Sequence, residues 1–146
     1  MTVDLESYAS PQIDLFKEAY RAVLTRDVSL LAKTLHKDFR HVIHPRSLSK
    51  LPINRDVWLA TVGEGLSTPI QLDLTFHSIV DAPGKTVLHV AVDLKGFFGQ
   101  DLTDESVWII GFTPGEDGSL KIKEIEQFAD TTNYIDLTSL VGKLSK

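Results

Sequence analysis

Apolar positions recur along the chain first at helical and then at strand spacing. Ile13, Phe16, Tyr20, Val23 and Leu24 follow Ser10-Pro11, an N-cap with proline at the first helical position. This pattern predicts a first helix ending near Arg26. Asp27 is placed to cap a second, shorter helix whose buried stripe is Leu30, Leu31 and Leu35, before Asp38-Phe39 turns the chain. Within Phe39 to Pro45, Val42 and Ile43 favour a short strand that Pro45 stops or pushes to an edge. Asn54 is a good cap for a third helix through about Leu66, with Ile53 positioned to staple onto Trp58 and with Gly63, Gly65 and Pro69 ending it.

From Ile70 the period changes. Gln71 to Val80, Thr86 to Leu94, Glu105 to Phe112 and Leu120 to Ala129 are runs rich in Val, Ile, Leu and aromatics. Asp81-Ala-Pro-Gly84 and the Pro- and Gly-containing run from Thr113 to Gly118 supply turns, and Gly96-Phe-Phe-Gly99 begins a longer connection. Strands joined by short turns pair antiparallel. The expected class is therefore α+β, a cone-shaped curved antiparallel sheet packed against three N-terminal helices. In His89 to Leu94, His89, Ala91 and Asp93 share one side and Val90, Val92 and Leu94 continue an apolar row from Leu88 on the other. One side meets the helices and the other is free to meet a partner subunit. Apolar positions between Tyr134 and Leu144 predict a short closing helix.

At 146 residues with 42% hydrophobic and 24% charged positions, the chain suits a single domain over 1–146, with its core in about 10–134 and a tail over 135–146. The 15 Lys and Arg are scattered among 20 Asp and Glu, for a net charge of −5, so no basic patch invites nucleic acid. The absence of cysteine excludes disulfides, thiolate catalysis and Cys-based zinc sites. The first residues are acidic and lack the basic and apolar regions of a secretory signal, and no apolar run approaches the roughly 20 residues of a membrane helix. A soluble, cytoplasmic protein without membrane partners is the expectation. No phosphate loop, Ser-centred nucleophile elbow or dinucleotide fingerprint appears, so no cofactor is expected.

Three stretches carry a resemblance: the loop from Pro45 to Asn54, the strand from Asp104 to Phe112 with its opening Asp-Glu pair, and Ile122-Lys-Glu-Ile-Glu-Gln-Phe-Ala-Asp-Thr131. With the order of elements, they resemble the nuclear transport factor 2-like superfamily, and within it the SnoaL-like polyketide cyclases and their fungal-type relatives. The resemblance covers about Ile13 to Tyr134. Asp130 matches the position of the catalytic Asp that follows a strand Glu, here Glu124. Ile125 and Glu126 stand where a bulky aromatic and a His usually follow that Glu. The resemblance implies a small-molecule pocket, cofactor-independent cyclase, isomerase or dehydratase chemistry on a polyketide- or terpenoid-like secondary metabolite, and a homodimer formed through the outer sheet face.

A carboxylate at the end of a strand lining an apolar cone is partly desolvated, which raises its pKa toward the range of proton transfer. Asp130 fits, and equally fits a cap for the turn at Thr131-Thr132. Alternation puts Glu124, Glu126, Phe128 and Asp130 on one strand face and Lys121, Lys123, Ile125, Gln127 and Ala129 on the other, unless a bulge intervenes. Glu126 is thus either a second carboxylate in the cavity or a solvated edge residue. Glu105 either projects into the pocket mouth or lies on the surface beside Asp104. Tyr20, Trp58, Trp108 and Phe128 are candidate cavity walls, with Phe76 and Phe112 as further aromatics, or are simply core.

Of the 5 histidines, His41, His44, His77 and His89 are each open as an acid–base partner of Asp130, with His41 and His89 chosen as the candidates. His41 and His44 are the only close pair, and on a strand they face opposite ways, so a metal site is not expected. Phe97-Phe98 between two glycines suits either a mobile flap or a buried dimer edge. Two classes of function follow: a cofactor-independent enzyme on a small apolar organic substrate, or a non-catalytic ligand-binding or dimerisation module of the same fold.

Overall fold

Each of the described α-helices begins at a side chain that caps it. In the computed structural model, which describes residues 1–48 and 50–130, Ser10 Oγ accepts from the Ile13 amide at 3.1 Å and opens α1 (Pro11–Leu24). Asp27 Oδ1 accepts from Leu30 at 3.0 Å and opens α2 (Val28–Thr34). Asn54 Oδ1 accepts from Val57 at 2.9 Å and opens α3 (Arg55–Gly65). α1 stops ahead of Arg26, whose φ of 57° no helix accommodates. Leu35 is extended, so it opens β1 (Leu35–His44) rather than closing the stripe of α2, though it remains buried. The Arg55 guanidinium ties α3 to α2, Nη2 donating to the Ala32 carbonyl at 2.9 Å.

The strands that follow are β2 (Ile53–Asn54), β3 (Gln71–Ala82), β4 (Lys85–Phe97), β5 (Gln100–Pro114) and β6 (Leu120–Phe128). They form one six-stranded curved sheet in the order β2-β1-β6-β5-β4-β3. β3 to β6 make the expected antiparallel meander, but β1 lies parallel to β6, so the sheet is mixed. β1 precedes the meander and pairs with its last strand through a long connection, which frees this pair from the antiparallel sense that a hairpin imposes.

The helices cover one face. Ile13 and Ala22 of α1 and Leu88 and Val90 of β4 are fully buried, so the apolar row of β4 is the side that meets the helices. β6 reaches that face by way of a bulge. Gly111 pairs with Glu124 but Phe112 with Ile122, leaving Lys123 as the extra residue. The bulge reverses the alternation, so that Ile122 and Ile125 both face inward and Gln127 follows them.

Gly96 to Gly99 is a tight hairpin turn rather than a longer connection, with β4 running to Phe97 and β5 starting at Gln100. Phe98 and Gly99 take φ of 53° and 72° to close it. Phe97 is buried against Gly65, where an added Cβ would stand 2.0 Å from the ring, so this aromatic is a packed wall and not a flap. The helix expected over Tyr134 to Leu144 lies outside the described residues. Among the described residues no helix is long and apolar enough to cross a membrane.

Candidate functional site

Between the helices and the inner face of the sheet lies a cavity of about 250 Å³, walled by α3, β1 and the strands of the meander. A second chamber of about 190 Å³ adjoins it beneath α1. Of the residues that line both and mark the neck between them, His41, Trp58, Trp108 and Gln127 are the polar and aromatic ones. The aromatic walls are held from behind. Phe39 packs edge-on to Trp58 at 5.2 Å between ring centres, and Phe16 to Trp108 at 6.5 Å. Nearly all of the lining is aliphatic or aromatic, the surroundings in which a few polar groups carry most of the specificity.

Those polar groups form a chain across three strands. His41 Nε2 lies 2.9 Å from Gln127 Oε1. Gln127 Nε2 reaches Asp104 Oδ2 at 3.3 Å and Ser106 Oγ at 3.2 Å, and Ser106 donates to Asp104 Oδ2. An ionised carboxylate only accepts, so the amide nitrogen of Gln127 must face Asp104 and its carbonyl must face His41. Nε2 of His41 therefore carries the proton and Nδ1 keeps the lone pair. Burial pushes the His41 pKa down to about 4, opposed by the hydrogen bond to Gln127. With its pKa so far below neutrality the imidazole is neutral across the physiological range, and it lines both chambers. Trp108 adds a buried indole N–H that finds no acceptor among the described residues.

The candidates read from the sequence divide into two groups. His41, Trp58 and Trp108 come together at the neck, and Tyr20 lines the inner chamber. Burial raises the Tyr20 pKa, so its hydroxyl stays protonated. Asp130 lies just beyond β6, half-buried, its backbone amide donating to Asp104 Oδ1 at 3.3 Å. It thus adjoins the polar chain without lining either chamber.

Glu126, Phe128, Glu105 and His89 are on the outer face. Glu126 meets His44 at 3.2 Å, and His44 stacks on Phe128, which is 46% exposed. His89 meets Glu105 at 2.7 Å and lies against His77, ring centres 4.8 Å apart. Glu126 is therefore not a second carboxylate in the cavity, because the inward positions past the Lys123 bulge belong to Ile125 and Gln127. Glu105 does not reach the pocket mouth, since its neighbours Asp104 and Ser106 take the inward positions. His41 and His44 have separate partners on opposite faces of β1. Gln127, Asp104 and Ser106 were not singled out by sequence. The available signal was a polar amide continuing an inward row after Ile125.

Among the described residues 3 α-helices lie on one face of the curved mixed sheet, with the cavity between. A provisional SnoaL-like polyketide cyclase from Shewanella denitrificans superposes with a TM-score of 0.66 at 15% identity, covering 91% of this chain and 97% of that one. The chain has the nuclear transport factor 2-like fold. BvnE pinacolase from Penicillium brevicompactum superposes at 0.62 with 18% identity, over 94% of this chain and 100% of its own. An NTF2-like protein of unknown function from Cytophaga hutchinsonii does so at 0.61 with 13% identity, over 86% and 94%. No family model and no curated protein matches the sequence.

Proposed function

We propose that the chain is a cofactor-independent enzyme of the isomerase, cyclase or dehydratase kind, acting on a neutral, largely apolar metabolite of polyketide or terpenoid character. The observation that carries this reading is the polar chain from Asp104 through Gln127 to His41, set in an otherwise apolar cavity. Neighbours of the same fold named as a polyketide cyclase and a pinacolase support the class of chemistry.

In this reading His41 Nδ1 takes a proton from the substrate while Nε2–H stays on Gln127, and the Asp104 carboxylate offsets the developing charge through the intervening amide. An imidazole of depressed basicity gives the proton back readily. It therefore suits transfer between two positions of one substrate better than lasting charge separation. Asp130, beside Asp104, serves as the second acid–base candidate. The resemblance also carries a homodimer into the proposal, which sedimentation of the purified chain tests.

The deciding experiment identifies the small molecule that co-purifies with the chain by mass spectrometry and returns it to the protein in deuterated water. Conversion, or incorporation of deuterium at a position adjoining an oxygenated carbon, is the expected result. A ligand that binds and is recovered unchanged and unlabelled contradicts the enzyme and supports the binding module.

A further inference from the structure

The cavity has two chambers of unequal character. The outer one carries Asp104, Thr103 and Thr61 in its wall and ends at His41 and Gln127. The inner one, beyond that neck, is lined by Phe16, Ala19 and Leu31 on the helix side and by Ile110, Ile122 and Ile125 on the sheet side. Leu31, Ile110 and Ile122 are at most 2% exposed, so this part of the wall is packed from behind and yields little to a longer ligand. Its polar groups are those of the neck and the Tyr20 side chain. Empty apolar space in a close-packed interior costs stability unless something fills it, and polar ligand atoms would find few partners there.

We infer that the inner chamber is a length-selecting pocket for an apolar tail, whose oxygenated head stays in the outer chamber within reach of His41. This rests on the small-molecule reading of the cavity and deepens it by naming the shape of the ligand: neutral, elongated, polar at one end. Among the described residues no Lys or Arg side chain lines either chamber, so a ketone, alcohol or ester head is preferred to a carboxylate. Ala19 is the natural selector. It stands on α1 between Phe16 and Tyr20, which also line the chamber, and its small side chain leaves the space open.

The chain supplies its own probe. Trp58 and Trp108 are its only 2 tryptophans, and both line the cavity, so intrinsic fluorescence reports occupancy. Titration with straight-chain 2-alkanones of increasing length is expected to give affinities that rise about fourfold per methylene and then level off when the inner chamber is full. Ala19→Leu should move that plateau to ketones shorter by about three carbons. Ile125→Val, a milder change that enlarges the chamber, should move it the opposite way and keeps the test open if Ala19→Leu fails to fold. A plateau at the same length in the wild type and in both variants overturns the length-selecting role while leaving the ligand site standing. No tryptophan response to any alkanone overturns the ligand site itself, and this inference with it.

Discussion

On the inner face of the sheet His41 meets Gln127 behind an apolar wall, while on the outer face His44 meets Glu126 and His89 meets Glu105 within reach of water. The inner histidine is paired with a neutral amide, which fixes its tautomer without giving it a charge to balance. The outer ones sit beside carboxylates, with side chains 29% exposed on both His44 and Glu126 and 42% and 61% on His89 and Glu105. Solvent screens such pairs, so they add little to stability. Adjacent residues of β6 thus belong to different physical regimes: Gln127 takes part in the proposed chemistry and Glu126 in surface hydration. The difference lies in which side of the strand each residue leaves, set by the bulge at Lys123.

The most severe break in this contrast is removal of the inner imidazole. His41→Phe should lower turnover of the identified metabolite by about 100-fold or more, read as initial rates, with the fold retained by circular dichroism. His44→Phe on the opposite face should leave the rate unchanged; equal losses would erase the distinction between the faces.

A second consequence is pH dependence of stability. The folded-state pKa of His41, about 4, lies below its ordinary 6.5. Between these values the unfolded chain binds a proton that the folded chain refuses. The contribution from neutral His41 is therefore fully present above pH 6.5 and is lost as pH falls toward 4, amounting to about 3 kcal/mol. Urea unfolding across that range should show this loss in the wild type and its absence in His41→Phe. Matching slopes in the two proteins would show that His41 is solvated.

Gly65→Ala should cost about 1–3 kcal/mol in the same measurement, because the new methyl meets the Phe97 ring at a wall of the outer chamber. A neutral effect would mean that Phe97 moves freely. Smallest of all, Glu105→Gln should change stability by less than about 1 kcal/mol and ligand binding not at all, since the pair it breaks is exposed and outside the cavity.

The parts of this architecture that depend on local chemistry were legible in the sequence. Ser10, Asp27 and Asn54 announce three helices because a short polar side chain before an apolar stripe satisfies the first free amides. The row from Leu88 to Leu94 announces the buried face of β4. The site was less legible because it depends on long-range pairing. His41, Gln127 and Asp104 are far apart in the chain and meet only because β1 pairs parallel with β6 and β6 antiparallel with β5. Strand alternation grouped Glu126 with Phe128 and Gln127 with Ile125, but which group turns inward follows from the bulge. Its one trace in the sequence is that Ile122 and Ile125, at odd separation, must share a face.

The most direct test is the titration of His41 followed by nuclear magnetic resonance of the imidazole nitrogens in the full chain. The expected spectrum shows a single neutral tautomer with the proton on Nε2, unchanged until the pH falls to about 4 and perturbed when a cavity ligand is added. Titration near 6.5 with mixed tautomers, or indifference to ligand, would contradict the account.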